Sequence, residues 1–362
     1  MQNSRLTKVQ KLLAENQIDT LLVTTPSNIF YITGFSGVSD VEREAICLID
    51  KSSVILIVAK IYQNEANLLS NLYPLKIIVS KDIHHIFTDV IKIFHDNTIL
   101  GVETTNLRLS EFEDLHKKFS GNIVKTYDLI EQIRIQKDHD ELVSINKAVE
   151  ITDMTFKIIK SKIKIAMTEK QLSRKIMELM EDLGSDGIAF DPIVASGVNS
   201  AFPHYKTSGN IITNGILLID AGAKYKGYCA DLTRTFYIGK PSEKFVKRYR
   251  QVLNAHKKAL DLIKIGIEEQ KPWRKAYDSF ETDKSFFTHG LGHGVGIDIH
   301  EEPYLRKGRK NKLLSNTTIT IEPGIYYPGW GGIRIEDFIS LAEKGPIVLS
   351  NTPRNLEEII IN

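Results

Sequence analysis

The sequence predicts two domains: an α/β layered domain over residues 1–131 and an α+β domain over residues 138–362. Three observations predict this. The 362 residues exceed what a single hydrophobic core usually serves. The first third alternates short apolar, β-branched runs with helical ones, the mark of helices layered on a parallel or mixed sheet. From residue 193 onward long helices give way to strands and hairpins, which favours helices packed on one face of an antiparallel sheet.

The elements follow in order. "MQNSRLTKVQKLLAENQ" places Leu6, Val9, Leu12 and Leu13 on one face of an amphipathic helix and lacks the apolar block of a signal peptide. "TLLVTT" (20–25), "AICLID" (45–50), "SVILIVA" (53–59), "KIIVS" (76–80), "TILGVE" (98–103) and "NIVKTYD" (122–128) read as strands. "IHHIFTDVIKIFHD" and "SEFEDLHKKF" read as helices between them. The boundary falls at 131–137, before a helix whose face carries Leu142, Ile145, Ala148 and Ile151. "TEKQ" (168–171) is a capping box, and the helix it opens carries Leu172, Ile176, Leu179 and Leu183 before stopping at Gly184. Strands and hairpins follow in "IVASG", "ILLIDAGAKYKGYCADLTRTF", "TTITIEPGIYY" and "IRIEDFISL". No sequence repeat recurs at a fixed period.

Composition excludes several functions. A net charge of +2 makes no electrostatic case for nucleic acid. The basic stretch Arg306, Lys307, Arg309, Lys310, Lys312 lacks interleaved aromatics and reads as a solvated loop. Two distant cysteines, Cys47 and Cys229, cannot build a disulfide framework, which fits a reducing, cytoplasmic compartment. No apolar run approaches the roughly 20 residues that span a bilayer.

The chemistry concentrates in the second domain. Asp220 interrupts the apolar run Leu217-Leu218-Ile219-Asp220-Ala221, and burying an unpartnered carboxylate there costs several kcal/mol. A turn at Lys224–Gly227 would set Asp231 across from it, and two like charges side by side need a cation between them. The bland alternative pairs Asp231 with Arg234 and leaves Asp220 capping a turn. Glu322 after "TTITI" and Glu336 in "GGIRIEDF" repeat the violation, and repeated violations of local rules mark function. Four carboxylates plus one imidazole make a ligand set suited to two divalent ions such as Mn²⁺, Co²⁺ or Zn²⁺. The imidazole comes from "HGLGHGVGIDIHEEP" (289–303), where Gly292 and Gly294 flank His293 and let its backbone pack closely. His300 stands too far along for the same task and suits a substrate carbonyl. His289 alone is an ordinary core or loop histidine, and so is His204 after Pro203.

The order Asp220, Asp231, "HGLGHGVG", "TIEPG", "RIED" resembles that of the pita-bread metallopeptidases, in the Xaa-Pro branch of prolidase and aminopeptidase P. The resemblance covers nearly the whole chain and implies a creatinase-like N-terminal domain and a pita-bread catalytic domain. It implies that Asp220 chelates one ion, that Asp231 and Glu336 bridge both, and that His293 and Glu322 hold the second. It makes Glu322 the general base, His300 the donor to the scissile carbonyl, His204 and His289 the substrate and proton-shuttle side, and Arg334 a brace on the carboxylates. It implies two divalent ions with manganese first, short peptides with proline at the second position, and a homodimer whose loop "TGFSGVSDVERE" (33–44) reaches a neighbouring active site. Tyr304 stands where short prolidases often carry an arginine, which favours an Xaa-Pro aminopeptidase over a strict dipeptidase, unless Arg306 or Arg309 folds back to supply that cation. A non-catalytic pita-bread binding protein would have lost at least one of the five ligands.

Overall fold

Six of the apolar runs in the first third become one sheet. The computed structural model describes residues 2–38, 41–72, 74–94 and 97–362. It divides into two units, Met1–Arg134 and Ile135–Asn362. Of the loop 33–44, Ser39 and Asp40 lie outside the described residues.

The first unit contains strands β1 (Thr20–Val23), β2 (Ala45–Asp50), β3 (Val54–Ala59), β4 (Lys76–Ser80), β5 (Ile99–Glu103) and β6 (Asn122–Thr126). Their order is β4-β3-β2-β1-β5-β6. The sheet is mixed: β3–β4, β1–β5 and β5–β6 are parallel, whereas β1–β2 and β2–β3 are antiparallel. The parallel pairs need crossovers, which α3 (Gln63–Leu72), α4 (Ile86–Ile91) and α5 (Leu109–Lys118) supply or extend. Helices α1 (Gln2–Glu15), α2 (Pro26–Thr33) and α6 (Glu131–Arg134) complete the unit. Leu22, Ile46, Ile57, Leu100 and Val102 form its buried centre.

The second unit opens on α7 (His139–Lys162) and α8 (Glu169–Asp182). Asp138 and Thr168 cap them, each with a capping box that satisfies otherwise orphaned N–H groups. Strands β7 (Gly187–Ile188), β8 (Ile193–Ser196), β9 (Gly215–Ala221), β10 (Ala223–Tyr225), β11 (Tyr228–Cys229) and β12 (Leu232–Ile238) follow. Helices α9 (Glu243–Leu260) and α10 (Gln270–Ser279) then precede β13 (Gly292–Gly294), β14 (Glu301–Leu305), β15 (Thr317–Ile321), β16 (Gly324–Tyr327), β17 (Gly331–Arg334), β18 (Asp337–Ala342), β19 (Gly345–Val348) and β20 (Ile360–Ile361). Two main sheets, β20-β12-β9-β8 and β14-β13-β15-β18-β19, carry the unit. They are antiparallel throughout except for β12–β20.

A helix pair therefore precedes strands twice. In the first copy Thr168 bridges Ile211, and in the second Glu268 bridges Lys312. This duplication has no counterpart in a fixed sequence period, because packing a helix pair on strands needs only apolar positions, not identical ones. The core between helices and sheets includes Ile159, Leu172, Ile219, Tyr249, Val252, Ile319 and Ile339, all essentially inaccessible. Burial of each such side chain contributes roughly 1.5–3 kcal/mol.

The strand runs that carry acids are shorter than the sequence suggests. "TTITIEPGIYY" splits into β15 and β16 around Glu322-Pro323, and "GGIRIEDFISL" splits into β17 and β18 around Ile335-Glu336. Only Asp220 lies inside a strand; Asp231, Glu322 and Glu336 sit at strand ends. A strand end frees a carboxylate from sheet alternation, so it can turn toward the site.

Candidate metal centre

The β9–β12 pair sets the first two acids. A two-residue turn at Lys226 and Gly227, both at positive φ, fixes its register. Asp220 is opposite Thr233, and Ala221 is opposite Leu232. Asp231 stands just before β12, so the two carboxylates are diagonal neighbours rather than the directly opposed pair expected from the sequence. The backbone N–H of Glu336 donates to the carbonyl of Thr233 at 3.2 Å, which brings the third acid in from the other main sheet. Oxygens of Asp220, Asp231 and Glu336 all lie within 4.8 Å of one another, and all three residues are buried.

His293 and Glu322 complete the cluster. The His293 Nε2 atom is 3.2 Å from Glu322 Oε1 and 3.6 Å from Asp231 Oδ2. Thr320 orients both: its hydroxyl accepts from the His293 N–H at 3.1 Å and donates to Glu322 at 3.0 Å. The flanking glycines matter through close approach. A Cβ on Gly292 would stand 2.0 Å from the Thr320 carbonyl oxygen, and one on Gly294 would stand 2.2 Å from that of Glu302. Bulk at either place would push β13 off its neighbours.

Burial raises the pKa of Asp231 and Glu336 well above the carboxylate range, and neighbouring carboxylates add to it. Asp220 is raised less, because the Arg334 charge opposes its burial. Glu322 behaves differently: burial would raise it, but the His293 hydrogen bond and charge hold it down to about 2. Two buried oxygens, Asp220 Oδ1 and Glu336 Oε1, have no hydrogen-bond partner. An unsatisfied buried carboxylate oxygen is costly unless a cation takes it. The donor set of four carboxylates and an imidazole fits divalent ions of the Mn²⁺, Co²⁺ or Zn²⁺ type.

A cleft of about 460 Å³ opens on this cluster, lined by all five of these residues together with His204, His289, His300 and Arg334. That volume suits a small peptide. The His300 ring stands edge-on to His293 with centroids 4.3 Å apart. Burial, then the His293 charge, lowers its pKa, so it is a neutral imidazole at pH 7 and can donate one N–H. His289 is pushed down to about 4, chiefly by burial. Its ring nitrogens lie 2.6 Å from the Gly290 carbonyl and 2.9 Å from the Tyr326 hydroxyl. His204 sits exposed at the rim.

The sequence reading missed Tyr326, Lys137 and Arg234, which shape the site around the expected brace Arg334. Arg334 donates to Asp220 at 2.7 Å, to the Thr233 hydroxyl at 2.9 Å and to the Tyr326 hydroxyl at 2.8 Å. Tyr326 thus links Arg334 to His289. Lys137, 1% exposed, is 2.6 Å from Glu301, next to His300. On the opposite face of β12, the inaccessible Arg234 donates to the carbonyls of Thr233, Glu336, Thr352 and Pro353 and pairs with Asp337 at 2.8 Å. Arg306 lines the cleft, its guanidinium 5.1 Å from the Tyr304 ring centre. Arg309 is committed elsewhere, to Glu269 at 2.9 Å and to Glu302.

Comparison with known proteins supplies the family. The family model for metallopeptidase family M24 matches residues 143–343, and that for the creatinase/prolidase N-terminal domain matches residues 5–136. The Xaa-Pro dipeptidase of Pyrococcus furiosus is 35% identical over 97% of this chain and 99% of its own length. The solved Xaa-Pro dipeptidase from Bacillus anthracis superposes with a TM-score of 0.92 at 30% identity, covering 99% of this chain and 100% of that one. The X-Pro aminopeptidase from Thermotoga maritima superposes with a TM-score of 0.87 at 31% identity, covering 97% and 98%.

Proposed function

This chain belongs to metallopeptidase family M24, and on that premise we propose that it hydrolyses the bond between an N-terminal residue and a following proline, with Xaa-Pro dipeptides as preferred substrates. The observation that carries the peptidase reading is the buried Asp220, Asp231, Glu336 cluster with its two unpartnered oxygens. We assign Asp220, Asp231, His293, Glu322 and Glu336 as ligands of two divalent ions, manganese before cobalt or zinc. When bound, such ions supply Lewis acidity and a strong nucleophile at neutral pH. The protein's own groups do the rest. Glu322 takes the proton of the attacking water on a carboxylate oxygen and later returns it to the leaving proline nitrogen. His300 donates its N–H to the carbonyl oxygen as charge develops there. His204 and His289 border the substrate side, and Arg334 braces Asp220.

Dipeptide preference rests on Arg306. Among the described residues it lines the cleft without a carboxylate partner, as a site for a free C-terminal carboxylate must. The neutral Tyr304 and the resemblance to the Thermotoga maritima X-Pro aminopeptidase favour the second reading, an Xaa-Pro aminopeptidase that accepts longer peptides. One experiment separates them. Metal-stripped protein is given each ion singly and assayed on Xaa-Pro and Xaa-Pro-Yaa peptides. Manganese or cobalt is expected to restore activity, with dipeptides cut faster. Arg306→Ala should lower dipeptide kcat/KM by about 10–100-fold, the worth of one charge-assisted hydrogen bond, and leave tripeptide cleavage nearly intact. Tripeptides cut as well as dipeptides by the parent protein, with no effect of the substitution, would establish the aminopeptidase.

The homodimer remains the assembly we propose. Exposed Leu68 and Leu72, one turn apart on α3, and Ile61 just before it give the first unit an apolar face that supports association. Light scattering should return twice the chain mass, and a fully active monomer would remove the dimer. We also place the protein in the cytoplasm. Both cysteines are free and buried, and no helix among the described residues is long and apolar enough to cross a membrane.

A further inference from the structure

The start of the second helix in each pair of the second unit is hydrogen-bonded to a loop that contributes to the cleft lining, and each loop is held by a buried glutamate in the equivalent place. Glu169 begins α8, and Glu269 immediately precedes α10. The Glu169 N–H donates to the Asn210 carbonyl at 2.9 Å, and the Glu269 N–H donates to the Asn311 carbonyl at 2.9 Å. Lys170 N–H then reaches Ser208, and Gln270 N–H reaches Arg309. Both residues are essentially inaccessible, at 0% and 2%.

Among the described residues Glu169 forms no ion pair. Its carboxylate instead accepts from the Ser196 N–H at 2.9 Å, Asn199 at 3.0 Å, the Tyr205 hydroxyl at 2.9 Å and the Ser208 hydroxyl at 3.1 Å. These donors and the Ser208 N–H, at 3.4 Å, all lie on the segment 196–208, which carries His204. A buried carboxylate satisfied only by loop donors is a costly way to stabilise a fold, and its energy depends on that loop holding one conformation. His204 lies between two fixed points: Arg334 donates to the carbonyl of Pro203 at 3.3 Å, and Glu169 holds Tyr205. Glu269 plays the same part for the loop that carries Arg306. It holds Arg309 at 2.9 Å, three residues beyond Arg306.

We propose that Glu169 and Glu269 are paired positioning residues, the first setting His204 and the second setting Arg306 in the lining of the substrate cleft. This rests on the Xaa-Pro peptidase reading only in that His204 and Arg306 are taken to touch the peptide.

The test is a set of double-substitution cycles on the metal-loaded protein, with metal content measured in each variant. Glu169→Gln is expected to lower kcat/KM by about 10–100-fold, the usual cost of misplacing a positioned group. The same change in a His204→Ala background should cost less than about threefold. Glu269→Gln should couple in this way to Arg306→Ala on dipeptides. The crossed pairs, Glu169 with Arg306 and Glu269 with His204, should be additive. Additive costs in the matched pairs would reduce both glutamates to scaffold and overturn the proposal. If Glu169→Gln fails to fold, Tyr205→Phe removes a single bond between Glu169 and the loop and should show the same coupling to His204. A readout free of substrate keeps the two readings apart. In zinc-loaded protein, the His204 imidazole ¹⁵N signal should be single and sharp and should broaden or split in Tyr205→Phe. If no Xaa-Pro peptide is cut, that spectrum alone decides: an unchanged His204 signal overturns the proposal.

Discussion

Glu336→Ala yields a folded protein that no longer turns over Xaa-Pro peptides. The loss is expected to be on the order of 10³-fold or more, because a bound divalent ion supplies several kcal/mol of transition-state stabilisation and each 1.36 kcal/mol is tenfold. The fold should survive. Burial and the charges of Glu322 and Asp220 raise the pKa of Glu336 well above its usual range. A carboxyl whose pKa is raised by folding favours the native state below its unfolded pKa, near 4.3, and costs stability as pH rises toward the folded value. Metal-stripped Glu336→Ala is therefore expected to be at least as stable at neutral pH as the stripped parent protein. Metal added to the parent should raise Tm by far more than metal added to the variant. Atomic spectroscopy should find fewer than two ions per chain in the variant. Near-normal activity with a full metal complement would remove Glu336 from the ligand set.

His300→Ala should separate catalysis from metal binding. The neutral imidazole beside His293 is an N–H donor at the cleft, and loss of one donor to a developing oxyanion typically costs about 10²–10³-fold in kcat. Metal content and KM should change little, since the bond strengthens only as charge develops on the carbonyl. Should metal instead leave the variant in proportion to lost activity, His300 is a ligand. His300→Gln offers a milder arm: its amide also donates a neutral hydrogen bond and should recover part of kcat.

The residues we assign as ligands were legible because each breaks a local rule. Asp220 sits among aliphatics, Glu322 and Glu336 follow β-branched runs, and His293 lies between glycines. Each violation is visible without knowing what surrounds it. The first unit's strands were legible for the opposite reason, since their β-branched runs follow local preference throughout. What stayed hidden is set by register and by packing between distant segments. The offset of Asp231 from Asp220 depends on a turn at Lys226 and Gly227 that shifts the pairing. Sequence alone leaves Arg306 and Arg309 as equal candidates for a cation at the cleft, and only the fold separates them, with Arg306 in the cleft lining and Arg309 turned to Glu269 and Glu302. Tyr326 is one of two adjacent tyrosines, and only the β16–β17 hairpin decides which meets Arg334. Glu169 looks like an ordinary first-turn acid, because nothing near it in sequence announces a loop of donors folded over it.

Arg234 has a consequence for how this protein tolerates change. It touches neither the cleft nor any oxygen assigned to a metal. Yet one guanidinium grips the backbone on both sides of the centre, at Thr233 and Glu336, and ties them to Asp337 and to Thr352 beyond. Lysine cannot replace it, because a single ammonium cannot span that planar spread of acceptors. Mutational sensitivity of catalysis will accordingly not fade with distance from the substrate. It will pass through the sheet and reappear on the far face, at an arginine and an aspartate that a map drawn outward from the substrate would leave blank.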